Sequence, residues 1–216
     1  MNVFRVIQLA DIFSLLNGLS GFGAILAAAS GKMEFSVLLV ILSVVADGID
    51  GFLARRTKAS QLGTGLDSLA DLISFGVAPA VLAMKAFDMS TLILAASMIY
   101  LTCGILRLAR FNITVNNDKS FEGIPITASG LIVAAVMLFQ NLEISLILML
   151  ALAALMISCI PYPKVRDAKA LLVFGLILLA SACLILFSGD SSLSGILIMT
   201  TMAAYIASPV VCYVHK

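Results

Sequence analysis

The sequence predicts an all-α polytopic membrane protein: a bundle of about eight transmembrane helices preceded by a short interfacial helix. Three observations predict it. Of 216 residues, 62% are hydrophobic and 12% charged, where soluble domains carry about 45–50% and about 25%, and a soluble core of this size cannot bury the excess. Apolar runs recur at 12–29, 35–54, 66–84, 90–109, 123–140, 142–160, 169–187 and 193–214, each long enough as a helix to cross about 30 Å of hydrocarbon. The basic residues are also segregated. Arg5, Arg55, Arg56, Lys58, Arg107, Arg110, Lys119, Lys164, Arg166, Lys169 and Lys216 fall on one side of that zigzag, and only Lys32 and Lys85 on the other. By the positive-inside rule both termini and the 55–65, 107–122 and 161–168 segments face the cytoplasm of a cell-membrane protein.

The elements follow in order. Residues 1–11, MNVFRVIQLAD, set Val3, Phe4, Val6, Ile7 and Ala10 to one helical side and so suit an interfacial helix. Asp11 is placed to cap the span after it. That span reads as a true crossing rather than a signal peptide, because a carboxylate precedes it and no clear A-x-A site follows at a suitable distance. Gly18, Gly21, Gly23 and Gly48 read as close helix packing, while Gly51 lies within an acidic cluster. Cys103, Cys159, Cys183 and Cys212 sit inside predicted spans without C-x-x-C spacing and read as buried, inert thiols. His215, next to the last residue, reads as solvated. With no repeat, low-complexity tract or linker, residues 1–216 parse as one integral-membrane domain. The net charge is only +1, and no nucleic-acid partner is expected.

The chemistry concentrates in VADGIDGFLARRTKASQLGTGLDSLAD, residues 45–71. Asp47 and Asp50 are three apart and Asp67 and Asp71 four apart, so each pair lies on one helix face. A short turn between the two helices packs them antiparallel and lets the four carboxylates converge. At 1.5 Å per residue Asp47 stands about 12 Å before Arg55, a little inside the interface. An unpaired carboxylate in a span costs about 2.5–3.5 kcal/mol, and four together repel unless a cation joins them. All-oxygen ligation favours one or two Mg²⁺, Mn²⁺ or Ca²⁺ ions over zinc or copper. The plainer alternative, pairing with Arg55, Arg56 and Lys58 or capping of helix ends, suits Asp67 but accounts for one or two of the four.

The spacing Asp47-x2-Asp50-Gly51-x2-Ala54-Arg55-x7-Gly63-x3-Asp67-x3-Asp71 resembles the full signature of the CDP-alcohol phosphotransferases, with every fixed position present. The resemblance implies a six-helix membrane core, a one- or two-metal site, and displacement of CMP from a CDP-linked lipid by an alcohol. It makes Asp47, Asp50 and Asp67 metal ligands, and Asp71 the general base and a ligand of a second metal. It assigns Gly51, Ala54, Arg55, Lys58 and Gly63 to the nucleotide: the glycines leave room for cytidine, Arg55 holds a phosphate and Lys58 adds a positive edge. Metal ions that neutralise a diphosphate, and a carboxylate that takes a hydroxyl proton, suit that reaction.

Two later segments bear on the acceptor. GILRLARFN, residues 104–112, and FEGIPITASG, residues 121–130, are similar to the R-x-x-R-F-N and F-x-G-x-P pattern of integral-membrane phosphatidylserine synthases, as is PYPKVR at 161–166. The resemblance covers most of residues 12–170. It implies L-serine as acceptor, with CDP-diacylglycerol or CDP-archaeol as donor, and it leaves a homodimer open. Arg107 and Arg110, with Asn112, then become candidates for the acceptor, because a guanidinium matches a carboxylate in a two-point fork. They serve equally as topology anchors or contacts to membrane lipid headgroups. Asn17 either hydrogen-bonds a neighbouring helix or lines the polar site, and the resemblance favours the site.

Three rivals are weaker. A glycerol 3-phosphate or inositol phosphate acceptor calls for an extra basic cluster beside the metal site, which only Arg107, Arg110 and Lys119 could provide. A cation transporter calls for carboxylates spread through several spans. A noncatalytic scaffold has no need to keep four aspartates.

Overall fold

The computed structural model describes residues 7–56, 62–113, 120–163, 168–187 and 191–214. Each apolar run is helical: α1 Leu9–Ala29, α2 Met33–Ala54, α3 Gly63–Ala86, α4 Thr91–Ile113, α5 Ile126–Phe139, α6 Leu142–Ile157, α7 Ala168–Phe187 and α8 Ser191–Val214. The helices α1, α2, α3, α4 and residues Ser191–Ser208 of α8 are long and apolar enough to cross a membrane; α5, α6 and Leu171–Phe187 of α7 are apolar but shorter. Leucines and phenylalanines stand outward, Leu19 and Phe187 among them, as a helical bundle in lipid requires. The protein is a polytopic membrane bundle.

Some expectations are corrected. Residues 1–6 of the expected interfacial helix lie outside the described residues, and Ile7 and Gln8 are not helical. Asp11 is not the cap of α1. Gln8 caps it, and the Asp11 carboxylate, buried in the first turn, accepts the Gln8 N–H at 2.8 Å in a capping box. Gly48 does not pack, since a Cβ there would meet nothing within 4 Å. Cys159 lies past the end of α6 and is exposed, as is Cys183, so neither is a buried thiol. Arg5, Lys58, Lys119, Lys164, Arg166, His215 and Lys216 lie outside the described residues.

Helix α1 packs along α2 and across α3. The crossing with α3 is close because Gly21 has no side chain: a Cβ there would overlap Ser74. Leu72–Val77 of α3 winds as a wider π turn immediately after Asp71. Pro79 follows it and has no N–H to offer the Phe75 carbonyl four residues back. The buried Tyr100 hydroxyl of α4 donates to that carbonyl at 2.8 Å, which satisfies it where water cannot.

A short ribbon ties the loops together. Ser120–Glu122 (β1) pairs antiparallel with Pro161–Pro163 (β2), with Phe121 opposite Tyr162. Gly123 leaves the ribbon at φ +75°, and a Cβ there would press on the Met156 and Leu155 carbonyl oxygens of α6. Helix α7 lies against α2, and α8 lies against α5 and β2. The last two helices thereby close the side of the bundle onto which α2 and α5 face.

Candidate active site

The last turns of α2 carry Asp47 and Asp50, and the first turns of α3 carry Asp67 and Asp71. Carboxylate oxygens of Asp47, Asp67 and Asp71 all lie within 4.8 Å of one another. Such a set of hard oxygen donors could hold a divalent cation. Asp50 stands apart from this triad: it is buried against α1 and accepts a hydrogen bond from the Ser14 hydroxyl.

Each remaining carboxylate has a neighbour that orients it. The Asn17 side-chain amide donates to Asp71 Oδ1 at 3.0 Å, and the Thr127 hydroxyl of α5 donates to Asp47 Oδ2 at 3.3 Å. Asn17 is fully buried, and its main-chain carbonyl oxygen accepts from the hydroxyls of Ser43 at 3.2 Å and Ser74 at 2.8 Å. Three helices, α1, α2 and α3, are thus pinned to one another directly behind Asp71. Of the two readings open for Asn17, the hydrogen bond to a neighbouring helix is the one observed, and that bond reaches the triad itself.

The triad opens into a cavity of about 440 Å³, within the range of small-molecule sites. Its polar lining comprises Asp47, Asp67, Ser68, Asp71, Arg107, Thr127, Thr201 and Tyr205, and its apolar lining includes Val44, Leu131, Leu171, Phe174 and Met202. Arg107 is buried, 7% exposed, with its guanidinium 5.5 Å from the Phe111 ring centroid. Its charge acts on Asp47, Asp67 and Asp71. The cavity wall thus holds a guanidinium within electrostatic reach of the carboxylates.

The other candidates divide. Arg110, three residues after Arg107, does not line the cavity. Its guanidinium donates to the carbonyls of Glu122 at 2.6 Å, Met156 at 3.0 Å, Ser158 at 3.1 Å and Ile157 at 3.2 Å. It satisfies the end of α6 and fastens it to the ribbon. Asn112 is exposed and outside the lining, but its side-chain oxygen accepts from the Ser68 hydroxyl at 3.0 Å. Gly51, Ala54 and Arg55 end α2 and Gly63 begins α3, all outside the lining. A Cβ on Gly51 would stand 3.4 Å from Arg55 Nη1. Lys58 is outside the described residues.

Sequence reasoning missed Ser14, Thr127, Thr201 and Tyr205. Each is a single polar residue within an apolar run, and the one signal available was the cost of leaving a polar group unpartnered in a span. Nothing in spacing connects Thr201 or Tyr205 to residues a hundred positions earlier.

The sequence profile of the CDP-alcohol phosphatidyltransferase family matches residues 7–160. The chain is 37% identical over 170 residues to the archaetidylserine synthase of Methanothermobacter thermautotrophicus, covering 76% of this chain and 73% of that one. It is 39% identical over 175 residues to the CDP-diacylglycerol--serine O-phosphatidyltransferase of Methanocaldococcus jannaschii, covering 80% and 82%. It is 33% identical over 157 residues to the enzyme of the same name from Bacillus subtilis, covering 71% and 89%. Together with the aspartate-bearing helix pair, these matches establish that the chain belongs to the CDP-alcohol phosphatidyltransferase family.

Proposed function

We propose that this chain transfers a phosphatidyl or archaetidyl group from a CDP-lipid to the hydroxyl of L-serine and releases CMP. The observation that carries the reading is the juxtaposition, in one cavity, of the Asp47, Asp67 and Asp71 carboxylates with the Arg107 guanidinium. The activities for which the archaeal and bacterial relatives are named support it. Residues 1–216 act as one catalytic unit, with both termini and the cavity mouth on the cytoplasmic side, as the basic residues favour.

The three gathered carboxylates fit a divalent ion of the Mg²⁺, Mn²⁺ or Ca²⁺ kind, and Asp50 becomes a fourth ligand if its side chain leaves Ser14. One or two such ions, when bound, supply charge to neutralise the diphosphate and the departing CMP. Gly51, Ala54, Arg55, Lys58 and Gly63 take the cytidine and a phosphate.

The residues of the chain perform the rest. Arg107 holds the serine carboxylate, where a planar fork of donors binds it in two places. Asp71, oriented by Asn17, takes the proton from the serine hydroxyl. The serine oxygen forms a bond to the lipid-side phosphorus as the bond from that phosphorus to CMP breaks. The apolar lining of α2, α5, α7 and α8 keeps water, the competing nucleophile, from the same phosphorus.

The test is CMP release by the purified protein with a CDP-lipid and Mg²⁺ or Mn²⁺ across a panel of acceptors. L-serine is expected to support turnover. Turnover on glycerol 3-phosphate or inositol phosphate without turnover on serine would overturn the acceptor, and metal-dependent ion flux in liposomes without CMP release would overturn the reaction.

A further inference from the structure

Helix α8 lies beyond the family match at residues 7–160, yet Thr201, Met202 and Tyr205 form part of the cavity wall. Thr201 and Tyr205 are one turn apart and share a helix face. Tyr205 lies within electrostatic reach of Arg107. Its ring packs on Tyr162 with centroids 5.8 Å apart and planes inclined by 36°. Tyr162 is 1% exposed, belongs to β2 and pairs with Phe121 across the ribbon. A ring braced in this way arrives at the cavity already oriented, which lowers the entropy lost when a ligand is bound.

The charge distribution says which part of a ligand this part of the wall takes, since Arg107 is the only cationic side chain among the described lining residues. A carboxylate drawn to Arg107 presents further lone pairs than one guanidinium fork fills, and a phenol offers an O–H donor to them.

We propose that Tyr205 is a specificity-determining residue for the acceptor, its hydroxyl binding the acceptor carboxylate beside the Arg107 guanidinium, with Tyr162 a positioning residue that holds the Tyr205 ring. The proposal rests on the serine reading above. It extends acceptor recognition to the C-terminal helix pair and gives the PYP segment at 161–163 a role in selection through the brace.

The test uses the full-length protein and compares wild type with Tyr205→Phe, Tyr162→Phe and Tyr162→Leu, each checked for folding by thermal melting in detergent. KM for L-serine, KM for the CDP-lipid and kcat are measured separately. Tyr205→Phe is expected to raise the serine KM about tenfold or more, the loss of a hydrogen bond to a charged group, with kcat and the CDP-lipid KM changing less than about twofold. Tyr162→Leu is expected to reproduce the rise, whereas Tyr162→Phe, which keeps the ring, is not. An unchanged serine KM in Tyr205→Phe, or serine and CDP-lipid KM rising together, would overturn the proposal while leaving the serine reading intact. A wild-type protein with no serine-dependent CMP release would instead overturn that reading, and this proposal with it.

Discussion

Two groups of residues in the cavity wall are built in opposite ways. Asp47, Asp67 and Asp71 come from consecutive helices joined by a short segment, and α1 holds Asp71 through Asn17 and the neighbouring Asp50 through Ser14. The second group joins Arg107 of α4 to Thr201 and Tyr205 of α8, nearly a hundred positions later in the chain. A cluster of carboxylates in a membrane needs a rigid frame to hold like charges together, and neighbouring helices supply that frame cheaply. Selection of an acceptor needs only a few donors facing the site, which distant elements can contribute one at a time. The first group should therefore govern the rate of reaction, and the second the affinity for the acceptor.

The sharpest separation comes from Asp71→Asn. Removing the proton acceptor is expected to lower kcat by about 10³-fold or more, while CDP-lipid binding, followed by calorimetry, stays within a few-fold. Loss of binding with normal residual turnover would refute the assignment. Next in size is Arg107→Lys, which keeps the charge but loses the planar fork. It should raise the serine KM by about 10- to 100-fold with a smaller change in kcat, and an equal effect on both would merge the two groups into one.

Asn17→Ala is expected to cost about tenfold in kcat, the scale of losing a residue that orients a working side chain, with the serine KM unmoved. If the serine KM rose instead, Asn17 would belong with the acceptor-binding residues. The smallest kinetic effect belongs to Arg110→Ala. Because Arg110 is engaged with the carbonyls of Glu122, Met156, Ile157 and Ser158, the change should lower the melting temperature in detergent and leave the serine KM within about twofold, so long as its net hydrogen bonds are worth about 1 kcal/mol or more each.

Much of the fold was legible because lipid imposes a simple demand, a run of roughly 20 apolar residues for each crossing. The wider turn in α3 was not, since its cause joins Pro79 to a carbonyl whose donor, Tyr100, is on the next helix. Nor was the ribbon, whose two three-residue strands include Pro161 and Pro163 and show no alternating pattern. Within the site, helical spacing placed the carboxylate pairs on shared faces, but the hydroxyl of Ser14 drew Asp50 away from the other three. Arg107 and Arg110 look equivalent in the sequence. They differ because a three-residue step turns the side chain by about 60° and moves it nearly one turn along α4, which aims one at the cavity and gives the other to the end of α6.

The most direct measurement follows CMP release by the wild-type protein with a CDP-lipid while serine and the divalent ion are varied independently. Release should saturate with L-serine, yield one serine-containing lipid for each CMP, stop on chelation and return with Mg²⁺ or Mn²⁺. CMP release that is indifferent to serine, or that continues after chelation, would contradict the account.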